Sequence, residues 1–165
     1  DAVCGGDRSG LLAVHSLSKR SNVAGFRAGW VAGDAAVVAE LLAVRKHAGM
    51  MLPGPIQDAM VPLLADQDHV VEQRGRYLRR RALLRPALEA AGFRVDHSEG
   101  SLYLWCTRGE DARASVDFLA GLGILVAPGD FYGAAGARHV RVALTASDER
   151  IAAAAARLEA SVNRG

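Results

Sequence analysis

After the break at Pro53-Gly54-Pro55, apolar residues pair at Leu63/Leu64, Val70/Val71, Tyr77/Leu78 and Leu83/Leu84, close to one pair every seven residues. That spacing returns each pair to the same helical face. It predicts one long helix, or two nearly collinear ones, running to Gly92. The remaining positions include Asp66, Asp68, Glu72, Arg74, Arg76, Arg79 and Arg80, which read as a solvated face.

Before it, Leu11–His15 and Ala28–Ala32 are short apolar runs that read as buried strands. From Asp34, a plausible N-cap, the stripe Val37, Val38, Leu41, Leu42 and Val44 predicts a helix that stops near Gly49. After Gly92 the period returns to that of strands, at Phe93–Val95, Leu102–Cys106, Ile124–Val126 and His139–Ala143, with a helix over about Ala112–Leu122. The last helix opens at Ser147, followed by Asp148 and Glu149 in the turn where carboxylates suit the helix dipole. Ile151, Ala154, Ala155, Leu158 and Val162 supply its buried face.

Composition sets bounds rather than a function. A net charge of +2 creates no field that would imply nucleic acid or an anionic membrane. Cys4 and Cys106 fit neither a disulfide framework nor a zinc site, so a reducing, cytoplasmic compartment is expected. No apolar run reaches the length of a membrane span. The five histidines lack ligand spacing, and no metal is expected. The chain begins at Asp1, a hint that it is a piece of something longer.

Chemistry is concentrated between the first two strands. Ser16-Leu-Ser-Lys19 is followed by Gly25, Arg27, Gly29 and Gly33, the pattern S-x-S-K then G-x-R-x-G-x-x-x-G. Lys19 ends a strand and enters a turn. An amine stripped of water there and set near a cation loses its proton readily and becomes nucleophilic. Arg27, eight residues on, can return to the same region and grip phosphate with its planar fork, and Ser16 can add a hydroxyl. Gly25 and Gly29 allow backbone and ligand to approach closely. Alone, S-x-S-K reads as a solvated loop lysine and Arg27 as a surface ion-pair residue; it is the joint spacing that gives them weight.

That pattern resembles the cofactor-lysine signature of class I and II aminotransferases, the fold-type I pyridoxal-phosphate enzymes. The resemblance extends downstream through Pro53-x-Pro55-x-Gln57, Gly100-Ser-Leu-Tyr-Leu-Trp105, Pro128-Gly-Asp-Phe-Tyr-Gly133 and His139-Val-Arg141-Val-Ala143. It implies an α/β fold: the C-terminal part of the fold-type I transferase, with the end of a large, mostly parallel sheet and a linking helix over residues 1–86, then a small α+β domain over 87–165. It also implies pyridoxal 5'-phosphate as cofactor, with Lys19 holding it as a Schiff base and acting as general base. By the same resemblance Ser16 and Arg27 take the phosphate and Arg141 clamps the substrate α-carboxylate, although Arg141 also reads as an outward-facing strand residue. Tyr132 reads as a packed tyrosine or a pocket lining, and His15 as structural or as a neighbour of the cofactor.

Within the family, His15–Trp30 and Arg45–Met51 look most like actinobacterial N-succinyldiaminopimelate aminotransferases of lysine biosynthesis. Such enzymes exchange an amino group between an amino acid and 2-oxoglutarate, usually as homodimers. The family's phosphate loop, ring-stacking aromatic and pyridinium-pairing aspartate have no counterpart here, so the chain is expected to be a C-terminal portion, unable to transaminate alone. The motif is equally compatible with an aminotransferase of another substrate, or with the aminotransferase-like sensor module of a transcription regulator. Arg74–Arg81 reads as a solvated helix face rather than a nucleic-acid patch.

Overall fold

The computed structural model of the protein describes residues 5–163. Asp1 and Cys4 lie outside them. The chain divides into two compact units, with the boundary between Glu72 and Gln73.

In the first unit, β1 (Leu12–Ser16) and β2 (Gly29–Gly33) form an antiparallel two-stranded ribbon in which Leu12 pairs with Gly33, His15 with Trp30 and Ser16 with Gly29. Between them lie α1 (Leu17–Arg20) and a 3-10 turn over Ala24–Phe26. Asp34 caps α2 (Ala35–His47), as the sequence predicts: its carboxylate accepts from the Ala36 and Val37 amides at 2.8 and 3.3 Å. Gly49, just past that helix, has φ +69°, the left-handed backbone suited to a stop.

The expectation that the two strands are buried is corrected. Both are almost wholly exposed, with Val14 at 76%. Apolar residues on both faces suit a strand covered on both sides, and a two-stranded ribbon has no such layers of its own. Among the described residues, the buried apolar residues of this unit are Leu17 and Ala28, joined by a hydrogen bond from the Leu17 amide to the Ala28 carbonyl at 3.0 Å.

The predicted long helix is two helices, α3 (Gly54–Ala65) and α4 (Asp68–Ala90), interrupted at Asp66-Gln67. The paired apolar pattern divides along its length. Leu63, Val70 and Tyr77 are half-buried and Leu84 is fully buried, while Leu64, Val71, Leu78 and Leu83 face outward. The reading of the charged face also needs correction at Arg80. It is half-buried, donating through Nε to Asp148 Oδ1 at 2.5 Å and through Nη1 to the Leu144 carbonyl at 3.0 Å.

The second unit holds the main core. Strands β3 (Arg94–Asp96), β4 (Tyr103–Thr107), β5 (Ala127–Pro128) and β6 (Val140–Ala143) form an antiparallel sheet in the order β3-β4-β6-β5. Leu104, Cys106, Val140 and Val142 project from one face into a cluster with Leu84 and Leu88 of α4, Leu119 of α5 (Ala112–Gly121), and Ile151, Ala155 and Leu158 of α6 (Asp148–Val162). Burial pushes the Cys106 thiol up to about 12, with the nearby Asp96 and Glu89 carboxylates adding to the effect. The strand predicted at Ile124–Val126 is displaced to Ala127–Pro128. Ile124 and Val126 do point into the core while Leu125 is 94% exposed, but that alternation belongs to an unpaired segment.

Among the described residues no helix is long and apolar enough to cross a membrane.

Candidate functional site

In the first unit the ribbon register sets the positions of the motif residues. Ser16 stands opposite Gly29, and the Leu17–Ala28 hydrogen bond closes the end of the ribbon, so the Ser16–Lys19 turn and Arg27 emerge from the same end. Ser16 is the N-cap of α1, its Oγ accepting from the Ser18 amide at 3.2 Å. The base of the turn is tied down twice. Arg20 donates to the Leu63 carbonyl at 2.7 Å and to Ser21 Oγ at 3.1 Å, and His69 bridges Ser21 Oγ at 3.0 Å to Asp66 at 2.7 Å.

Lys19 itself is exposed. The water-stripped setting expected for it is not built by the described residues of this unit, whose only large buried side chain is Leu17. Arg27 has a left-handed backbone, φ +53°, and donates to the Ala24 carbonyl at 3.0 Å, which leaves its guanidinium exposed with further donors free for an anion. The role of Gly29 differs from the one expected. A Cβ there would lie 2.6 Å from the His15 carbonyl oxygen, so the residue serves the close approach of β1 and β2. Gly25 has open space where a side chain would stand. His15 stacks on Trp30, its cross-strand partner, with ring centroids 5.2 Å apart.

The second unit presents a different cluster on the sheet face opposite the core. Asp96, Trp105 and Arg141 are register partners across β3, β4 and β6, with Tyr103 and His139 two residues from that row on the same face. The Arg141 guanidinium carbon lies 4.2 Å from the Tyr103 ring centroid and 5.3 Å from that of Tyr132. Trp105 meets Tyr132 edge-on at 5.8 Å and stacks on His139 at 5.0 Å, and His139 Nε2 reaches Asp96 Oδ2 at 3.1 Å. Arg141 Nε is buried and has no hydrogen-bond partner among the described residues. Arg141, Tyr103, Trp105 and Tyr132 line a cavity of about 250 Å³. A cationic fork held between rings and lacking a protein carboxylate can take up an anion.

Of the residues predicted from sequence, the structure thus gathers Ser16, Lys19 and Arg27 at one end of the ribbon, and sets Arg141 in a cavity of the second unit. Sequence reasoning missed the Asp96–His139–Trp105 support and the place of Tyr103. Their only signal, alternation along each strand, does not say which residues of different strands are partners.

The sequence profile of the family "Aminotransferase class I and II" matches residues 3–158. The chain belongs to this family. Class I and II aminotransferases depend on pyridoxal phosphate, and the set of a lysine, an exposed arginine, a hydroxyl and an open glycine at one ribbon end suits an aldehyde that carries a phosphate. A Mycobacterium tuberculosis protein designated a probable aminotransferase is 66% identical over 157 residues, covering 95% of this chain and 38% of its own length. The 4-dedimethylamino-4-oxo-anhydrotetracycline transaminase of Streptomyces rimosus is also 66% identical, over 95% of this chain and 44% of its own length. An LL-diaminopimelate aminotransferase of Dehalococcoides mccartyi is 33% identical over 89% of this chain and 39% of its own.

Among solved structures, an aminotransferase of Neisseria meningitidis superposes with a TM-score of 0.85 at 34% identity, over 98% of this chain and 43% of that one. One from Staphylococcus aureus gives 0.80 at 31%, over 92% and 42%. The fold is therefore that of the fold-type I aminotransferases, and the chain spans about two fifths of the length of the relatives it matches.

Proposed function

We propose that this chain supplies the cofactor lysine and the carboxylate-binding arginine of a pyridoxal-phosphate-dependent aminotransferase. It would comprise the end of the large domain with the linking helix over residues 1–86, and the small domain over 87–165. Lys19 Nζ holds the cofactor covalently, Ser16 and Arg27 bind its phosphate, and Arg141 grips the α-carboxylate of the amino acid. The observation that supports this reading most directly is the ribbon register, in which Ser16 faces Gly29 so that Lys19 and Arg27 leave from one end.

In this reading Arg141 orients the substrate with a two-point contact, so that one Cα–H bond is presented for transfer. Lys19 Nζ, with its amine free, would be the base that takes up that Cα proton. Pyridoxal phosphate, when bound, supplies the electron sink for the charge left at Cα.

For the substrate pair we propose N-succinyldiaminopimelate and 2-oxoglutarate, in lysine biosynthesis, in a cytoplasmic homodimer. The diaminopimelate aminotransferases among the relatives support the substrate class, at 33% identity. A second reading, a transaminase of another substrate, is favoured by the 66% identity to an enzyme named for a tetracycline intermediate.

Borohydride reduction of the full-length, cofactor-saturated protein followed by peptide mass spectrometry tests the site. A phosphopyridoxyl group on the peptide bearing Lys19 is the expected result, and an adduct on Lys46, or none, would overturn it. Assaying the unreduced protein with N-succinyldiaminopimelate and 2-oxoglutarate separates the two substrate readings.

A further inference from the structure

The loop His97–Leu102, between β3 and β4, provides a wall of the cavity that holds Arg141. Two of its non-glycine residues, His97 at φ +46° and Ser101 at φ +70°, have left-handed backbone, a region that side chains disfavour because Cβ crowds the following carbonyl. A loop with two such residues needs something outside itself to keep its shape.

Arg81 of α4 meets that need. Its Nη1 donates to the Ser98 carbonyl, and its Nη2 faces the carbonyls of Gly100 at 2.6 Å, Ser101 at 2.8 Å and Tyr103 at 3.4 Å. One half-buried guanidinium therefore gathers four carbonyls from six consecutive residues. Ser98 adds an internal tie: its Oγ donates to the Asp96 carbonyl at 2.8 Å and accepts from the Trp105 amide at 3.0 Å. The loop ends at Tyr103, whose ring lies 4.2 Å from the Arg141 guanidinium carbon.

We propose that Arg81 is a positioning residue for anion binding at Arg141. By holding the His97–Leu102 loop in its strained form, it closes the cavity wall and sets the Tyr103 ring that orients the Arg141 fork. The inference rests on the reading of Arg141 as the carboxylate site. A lysine at position 81 keeps the charge but lacks the planar fork that spans separated carbonyls. A loosened loop frees Tyr103, and Arg141 then has to be ordered by the ligand itself.

The test uses the full-length, cofactor-loaded protein. The dicarboxylate glutarate, which carries no amine and cannot react, is titrated by calorimetry for Kd, alongside KM and kcat for the amino donor and the Tm. Arg81→Lys is expected to raise Kd and KM roughly tenfold with kcat changed far less. Adding Ser101→Gly to Arg81→Lys is expected to recover part of that affinity, because glycine takes the left-handed conformation without the clamp. Arg81→Gln is measured in parallel, so that the comparison does not depend on one variant folding.

Wild-type Kd and KM in the folded position-81 variants, even with a lower Tm, would mean that Arg81 is merely structural and would overturn the proposal. So would a loss of affinity that Ser101→Gly leaves whole. Arg141→Lys examines the underlying reading separately. If glutarate binds that variant as tightly as the wild type, Arg141 is not the carboxylate site, whatever the position-81 variants do.

Discussion

Asp96 is the most heavily engaged carboxylate of the second unit. Arg94 donates to both of its oxygens, at 2.7 and 2.9 Å, and His139 Nε2 lies 3.1 Å from one of them. These contacts, Arg94 first and His139 second, hold its carboxyl well below the usual carboxylate range. A group whose folded pKa is depressed adds stability above its unfolded value, near 4 for aspartate, and loses it as pH falls toward the folded one. Because the Arg94 side chain is 73% exposed, solvent screens most of its part. Asp96→Asn should therefore lower the Tm at pH 7 and reduce its decline below about pH 4. Parallel Tm curves for variant and wild type between pH 7 and 3 would mean that Asp96 contributes no pH-dependent stability. At this scale the sequence pointed to Lys19, Arg27 and Arg141 as candidates, because each sits in a spaced pattern. It could not show Asp96 or His139 as partners, since 43 residues separate them and only the strand register joins them.

At the scale of elements, the strands and helices were legible wherever burial alternates with a single period. α2 and α5 begin at the capping aspartates Asp34 and Asp111, and α6 begins after Ser147 as expected, although that side chain makes no capping hydrogen bond. Ile124–Val126 misled because alternating burial is necessary for a strand but does not require a hydrogen-bonded neighbour. Pairing instead starts at Ala127, where Gly129 allows the chain to turn close under β6. The Gly129 amide donates to the His139 carbonyl at 2.7 Å, and a Cβ on Gly129 would lie 2.6 Å from that oxygen and 2.8 Å from the Trp105 ring, with the Gly136 carbonyl closer still. Backbone on two sides cannot move aside as a side chain can. Gly129→Ala is thus expected to destabilise the protein by about 1–3 kcal/mol. It should also disturb the Trp105–His139 stack, read as a change in tryptophan emission in the folded variant. A variant with wild-type denaturant midpoint and emission would show that the turn is slacker than these contacts require.

The whole molecule is uneven. Among the described residues, Leu17 and Ala28 are the buried apolar residues of the first unit, while the second packs Leu84, Leu88, Leu104, Leu119, Val140, Leu144 and Leu158 to 2% exposure or less. Near 25 cal/mol for each Å² of apolar surface removed from water, such a difference decides which unit holds its own backbone in place. Val14, Leu42 and Val44 stand at 76, 51 and 62% exposure in the first unit, an apolar surface that a covering layer would use. This is why those strands read as buried in the sequence: their composition suits strands covered on both faces, and this chain spans about two fifths of the length of the relatives it matches. Amide hydrogen exchange on the 165-residue chain alone, compared with the full-length protein, separates the cases. Amides of β4, β6 and α6 should exchange slowly in both, and those of β1 and β2 should exchange fast in the short chain and slowly in the long one. The short chain should also bind a hydrophobic dye and show no transamination, since an exposed Lys19 lacks the surroundings its chemistry needs. Equal protection of β1 and β6 in the short chain would mean that the first unit is stabilised by something other than apolar burial.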